Sequence, residues 1–75
     1  MTTKILDAKG LRCPIPVLKA DKIVKKLKTG DVLKIFTTDP KSVNDFKAFC
    51  EVSNCLFQSS EKKNNIFIIS ICKSL

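Results

Sequence analysis

Two stretches of this chain repeat their apolar residues with a helical period, and four shorter ones are apolar at strand length. Over residues 14–28, Ala20, Ile23, Val24 and Leu27 follow the i, i+3, i+4, i+7 spacing of one helical face. Lys19, Lys22 and Lys26 line the opposite side. Gly30 stands where a helix C-cap glycine belongs, and Lys25, Lys26 and Lys28 suit the negative end of the dipole. Over residues 40–52, Val43, Phe46, Phe49 and Cys50 fall on one face of a second helix, which Ser53 and Asn54 end. The strand-like stretches are 4–8, 32–37, 55–60 and 66–72, with 61–65 as a polar turn between the last two. The final stretch is apolar on both faces in its first half, which predicts a central place in a sheet. The order is therefore βαβαββ. The first strand–helix–strand unit should close right-handed with parallel strands. The whole predicts an α+β two-layer sandwich: a four-stranded mixed sheet with two helices on one face, spanning residues 1–75 as one domain.

Between the first strand and the first helix runs Gly10-Leu11-Arg12-Cys13-Pro14-Ile15-Pro16. A residue before proline is pushed towards extended geometry, and proline is well tolerated in a helix's first turn. This reading makes Cys13 the N-cap, Pro14 the first helical residue and Pro16 the third. The unpaired amides at a helix start carry about half a positive charge. Such a field favours thiolate over thiol and lowers cysteine pKa values from about 8.5 to roughly 3.5–7.5. The two prolines remove donors from that turn, which weakens the expected shift. Arg12 adds a permanent cation, and Gly10 lets the loop turn sharply. Asp39-Pro40 repeats the arrangement at the second helix: a capping residue, then proline. Parallel first and second strands end at one edge of the sheet, so both helices begin there. That brings Thr37, Thr38 and Asp39 towards Cys13, with a threonine hydroxyl available to a sulfur anion.

Composition narrows the chemistry. The chain of 75 residues has no histidine, which removes Cys–His and Ser–His dyads and imidazole acid–base catalysis. A nucleophile here must be activated by fields. The four cysteines, at 13, 50, 55 and 72, contain no close Cys-x-x-Cys pair, so a zinc site is disfavoured. Cys50 and Cys72 sit in apolar patterns and read as core. Cys55 opens a strand and is the candidate resolving thiol. No apolar run approaches the ~20 residues needed to span a bilayer, and no signal-peptide pattern opens the chain, which predicts a cytosolic protein with reduced thiols. A net charge of +7 invites a nucleic-acid reading. Against it, the chain has no Trp or Tyr, and thirteen of its 14 basic residues are Lys. Direct nucleic-acid binding is therefore not expected, and the basic surface serves equally for an acidic protein partner.

Leu6-Asp7 followed by Gly10-Leu11-Arg12-Cys13-Pro14-x-Pro16 resembles the N-terminal signature of the TusA (SirA-like) family of small sulfur-carrier proteins. Gly30-Asp31, Asp39-Pro40 and Phe49-Cys50 are similar to the family pattern further along. Ile15 departs from it, where an acidic residue is common. The resemblance implies that a cysteine desulfurase passes sulfane sulfur to Cys13 as a persulfide, and that a downstream sulfur-acceptor protein removes it. No cofactor and no metal are implied. Gly10, Arg12, Pro14, Pro16, Thr38 and Asp39 would support Cys13. Ile15, Lys19, Lys22 and Lys26 would meet the partner. Two other readings stand beside it: a basic RNA-binding or regulatory module with a structural Cys13, and a thiol redox sensor.

Overall fold

The computed structural model describes residues 2–12 and 14–74. The N-cap assignment of Cys13 lies outside the described residues. Six elements follow in order: β1 Thr3–Ala8, α1 Ile15–Val24, β2 Val32–Thr37, α2 Ser42–Val52, β3 Cys55–Lys63 and β4 Ile66–Lys73. The sheet order is β1-β2-β4-β3. β1 and β2 are parallel, and β4 runs antiparallel to both β2 and β3. The βαβαββ mixed sheet with two helices and a central β4 is thus the architecture that the apolar pattern predicts.

Period-two burial explains which face the helices cover. Leu33, Ile35 and Thr37 alternate along β2 and are fully buried, beside Ile69 and Ile71 of β4. Ala20 and Val24 of α1 and Phe46, Phe49 and Cys50 of α2 complete this core. Phe46 and Phe49 meet edge to face, with ring centroids 6.1 Å apart. The other face, carrying Val32, Lys34 and Phe36 of β2, is half-buried to exposed.

Several boundaries move, each for a local reason. α1 begins at Ile15, with Pro14 as its N-cap at φ −97 and ψ 13, so Pro14 is not the first helical residue and Pro16 is the second. The Ile15 amide donates to the Arg12 carbonyl at 2.9 Å, a tight turn that precedes the first α-type bond, from Leu18 to Pro14. The helix stops at Val24, short of Lys28, because the Lys26 and Leu27 amides turn to the carbonyls three residues back. Gly30 is therefore not its cap. It holds φ +93 in the turn closed by the Asp31 amide and the Lys28 carbonyl, where a positive φ favours glycine.

α2 starts at Ser42 with Lys41 as N-cap, two residues later than Asp39-Pro40 predicts. Asp39 still caps locally: its Oδ1 accepts the Lys41 amide at 3.0 Å, and its carbonyl accepts the Ser42 amide. β3 runs three residues beyond Ser60, to Lys63, and a bulge between Phe57 and Ser59 shifts its register. The predicted five-residue turn shrinks to Asn64-Asn65, with φ of 50 and 65. Paired positive φ values mark the two-residue hairpin turn whose twist matches the flanking strands.

Candidate functional site

Both helices start at the carboxyl edge of β1 and β2, and the two connecting loops meet there. The first loop is built by its own residues. The Leu11 amide donates to the Ala8 carbonyl at 3.2 Å, and Gly10 takes φ +81 inside that turn. A Cβ on Gly10 would meet no heavy atom within 4 Å, so the glycine is there for its backbone angle. Asp7 Oδ1 accepts the Lys9 amide and pairs with Lys9 Nζ at 3.0 Å. The Lys9 side chain and amide bonds hold the Asp7 carboxyl below its ordinary value. Lys9 Nζ also lies 5.6 Å from the Phe36 ring centroid, which fixes the loop to β2.

The second loop grips the first. Thr38 Oγ1 accepts the Gly10 amide at 3.0 Å. The Thr37 side chain, expected near the sulfur, is instead fully buried. Its Oγ1 lies 3.2 Å from Ser42 Oγ and accepts the Asp39 amide at 3.2 Å. This buried pair locks the end of β2 to the first residue of α2, so Thr37 supports the loop and does not face the cleft. Ser42 had no signal of its own in the sequence; a hydroxyl opening an amphipathic helix gives only a capping hint.

Together the loops enclose a cleft of about 520 Å³ lined by Gly10, Leu11, Arg12, Thr38, Asp39, Pro40 and Lys41. Gly10, Arg12, Thr38 and Asp39 are thus brought to one place. Lys41 joins Arg12 as a second cation in the lining, a residue that the sequence pattern did not single out. Pro14 is exposed, and Pro16, within the first turn of α1, is buried. Ile15 is 43% exposed. Lys19 and Lys22 of α1 and Lys26 just beyond it are exposed, and Lys22 and Lys26 lie towards the far end from the cleft. A groove between the helices is lined by Pro14, Val17, Ala48, Phe49, Val52 and Asp45, whose Oδ2 is buried without a hydrogen-bond partner among the described residues.

Cys55 corrects another expectation. It is 6% exposed and its thiol donates to the Ser53 carbonyl at 3.6 Å. It pairs in register with Lys73, at the end of β4 where Cys72 faces Val32, so it lies at the opposite edge of the sheet from Gly10 and Thr38. Burial and distance along the sheet remove it as a partner thiol for this cleft. Cys50 is also buried, and burial together with nearby Cys55 pushes its thiol up to about 11. Among the described residues no group of His, Cys, Asp or Glu is placed to hold a metal. No helix of the described chain is long and apolar enough to cross a membrane.

Comparison with known proteins gives one consistent result. The family model described as sulfurtransferase TusA matches residues 4–73. The sulfur carrier protein TusA of Allochromatium vinosum is 41% identical over 69 residues, covering 92% of this chain and 91% of that one. A relative in Neisseria meningitidis serogroup B is 32% identical over 71 residues, covering 95% of this chain and 96% of that one. The crystal structure of a SirA-like protein from Desulfitobacterium hafniense superposes with a TM-score of 0.82 at 28% identity, with full coverage of both chains.

Proposed function

The chain belongs to the TusA family, and from that premise we propose that it carries sulfur as a persulfide on Cys13. The observation that carries this reading is the cleft itself. Arg12, the residue before Cys13, lines it together with Lys41, beside the start of α2. A basic recess next to a cysteine suits a thiolate or persulfide anion. In the first step the Cys13 thiolate attacks the outer sulfur of a persulfide on a cysteine desulfurase. A new S–S bond forms on Cys13, the donor's S–S bond breaks, and the donor thiolate leaves. In the second step an acceptor thiolate attacks the outer sulfur, and Cys13 departs as thiolate. Neither step changes the total of oxidised sulfur, and neither needs a general base, in keeping with a chain that has no histidine.

Pro14, at φ −97 before the helix, and Thr38, bonded to Gly10, support this role, the first beside Cys13 in the chain and the second from the facing loop. Gly10 and Pro16 set its backbone, Asp39 shapes the facing loop, and exposed Ile15 gives a partner an apolar contact. Lys19 adds positive charge on α1. A cytosolic setting would keep the thiols of Cys50, Cys55 and Cys72 reduced. The destination is a sulfur-trafficking acceptor such as the machinery of tRNA thiolation.

Intact-mass measurement after incubation with cysteine and a cysteine desulfurase tests the reading. Wild type gains one sulfur and Cys13→Ser gains none. A wild-type mass that stays unchanged while the desulfurase turns over would refute it.

A further inference from the structure

A second recess lies beside the last turn of α1, along the outer edge of β1. It holds about 360 Å³ and is lined by Lys4, Ile5, Lys22, Ile23, Lys26 and Leu27. Three lysines thus surround an apolar floor. None of the three forms an ion pair among the described residues, whereas Lys9, Lys25 and Lys63 each pair with a carboxylate. No carboxylate lines the recess beside them.

The recess also borders unused backbone. β1 is an edge strand, paired only with β2. The Val32 amide donates to the Thr2 carbonyl at 2.9 Å in a parallel ladder where Thr3 faces Val32. Peptide groups alternate sides along a strand, so those of Thr3, Ile5 and Asp7 point outward. Ile5 is 66% exposed there. β1 carries no proline and no bulge, and Lys4 guards this edge by charge, which admits a strand of opposite charge.

Charge selects the occupant. A second copy would set three lysines against three, which disfavours self-association through this edge. A nucleic acid finds no aromatic ring in the lining on which to stack a base. We propose that the recess docks an extended, acidic segment of a protein partner, which adds to β1 as a further strand. Its carboxylates meet Lys4, Lys22 and Lys26, its alternate apolar side chains cover Ile23 and Leu27, and its backbone bonds the outward groups of Thr3, Ile5 and Asp7. α1 has 10 residues and so separates this recess from the Arg12 cleft by about 15 Å. A partner tethered here leaves that cleft open and raises its own effective concentration beside it.

The test uses a fluorescein-labelled peptide alternating glutamate with valine, read by anisotropy and by amide chemical shifts. Saturable binding is expected, with the largest shifts at Thr3, Ile5 and Asp7. Lys22→Glu with Lys26→Glu, and separately Lys4→Glu, should weaken it about tenfold or more. Lys34→Glu, an exposed lysine on the other face of the sheet, should change it far less. Cys13→Ser should bind as wild type, which separates this result from the sulfur-loading result. Absence of binding, shifts mapping elsewhere, equal loss in Lys34→Glu, or tighter binding of a labelled single-stranded RNA at the same residues would each overturn the proposal.

Discussion

The Thr38 hydroxyl and the Gly10 amide meet at 3.0 Å across 28 residues of sequence, and this bond joins the two loops that form the cleft. Both residues are exposed, so water can replace a lost partner. Thr38→Val should therefore lower stability by only about 0.5–1 kcal/mol. Its larger effect should fall on sulfur loading, because the loop ahead of Cys13 loses its anchor. Thr38→Ser keeps the acceptor and should restore the loading rate. Urea denaturation and time-resolved intact mass, run on both variants, check the two halves separately.

Gly10 offers a cleaner backbone test. Its φ is +81 and a Cβ there meets nothing within 4 Å. Gly10→Ala should destabilise by about 1 kcal/mol from the left-handed backbone alone. Gly10→Asn should lose less, since asparagine tolerates that region. Urea midpoints for the two variants give the comparison, and a larger loss for Asn would point to a steric cause that the structure does not show.

How much of this was legible beforehand depends on the kind of signal. β2 could be read to the residue because Val32, Ile35, Phe36 and Thr37 give it the β-branched and aromatic content of a strand. The face of α2 was equally plain in Phe46, Phe49 and Cys50. Helix starts were not. Proline marks where a helix is permitted, yet Pro14 and Pro40 each stand one or two residues ahead of the first helical residue. The Asn64-Asn65 turn was hidden inside a polar run, because the left-handed tolerance of asparagine is weaker advertising than an Asn-Gly pair. At the site, Gly10 and Arg12 were legible from the segment around Cys13-Pro14, and Thr38 and Asp39 from the parallel order of β1 and β2. Lys41, Ser42 and the burial of Thr37 and Cys55 were not, because they depend on side-chain packing between elements.

Thiol reactivity should divide accordingly. Burial, with Cys55 nearby, raises Cys50 to about 11, so its thiolate is scarce and shielded in the folded protein. Alkylation at about pH 8 should spare Cys50 until denaturant is added. Peptide mapping after timed iodoacetamide treatment checks this. The same raised value makes a stability statement. Cys50 favours the folded state below the ordinary thiol range, and that contribution is lost as pH rises towards about 11.

Asp31 should make the protein acid-sensitive. Its Oδ2 accepts the Lys28 amide and its Oδ1 accepts the Thr2 amide, both at 3.0 Å. These bonds, Lys28 first, hold its carboxyl below the ordinary value. A lowered folded-state value stabilises above the unfolded pKa and is lost as pH falls through the folded one. Asp31→Asn should be less stable than wild type at neutral pH, and the gap should close as pH drops below about 4. Thermal melts across that range supply the measurement.

The most direct measurement is the pH profile of Cys13 alkylation, followed on the peptide that contains it. A thiol activated by Arg12 and the neighbouring helix start should react with a midpoint below the ordinary value of about 8.5, and Arg12→Ala should move that midpoint upward. A midpoint at or above the ordinary value in wild type, unmoved by Arg12→Ala, would contradict the account.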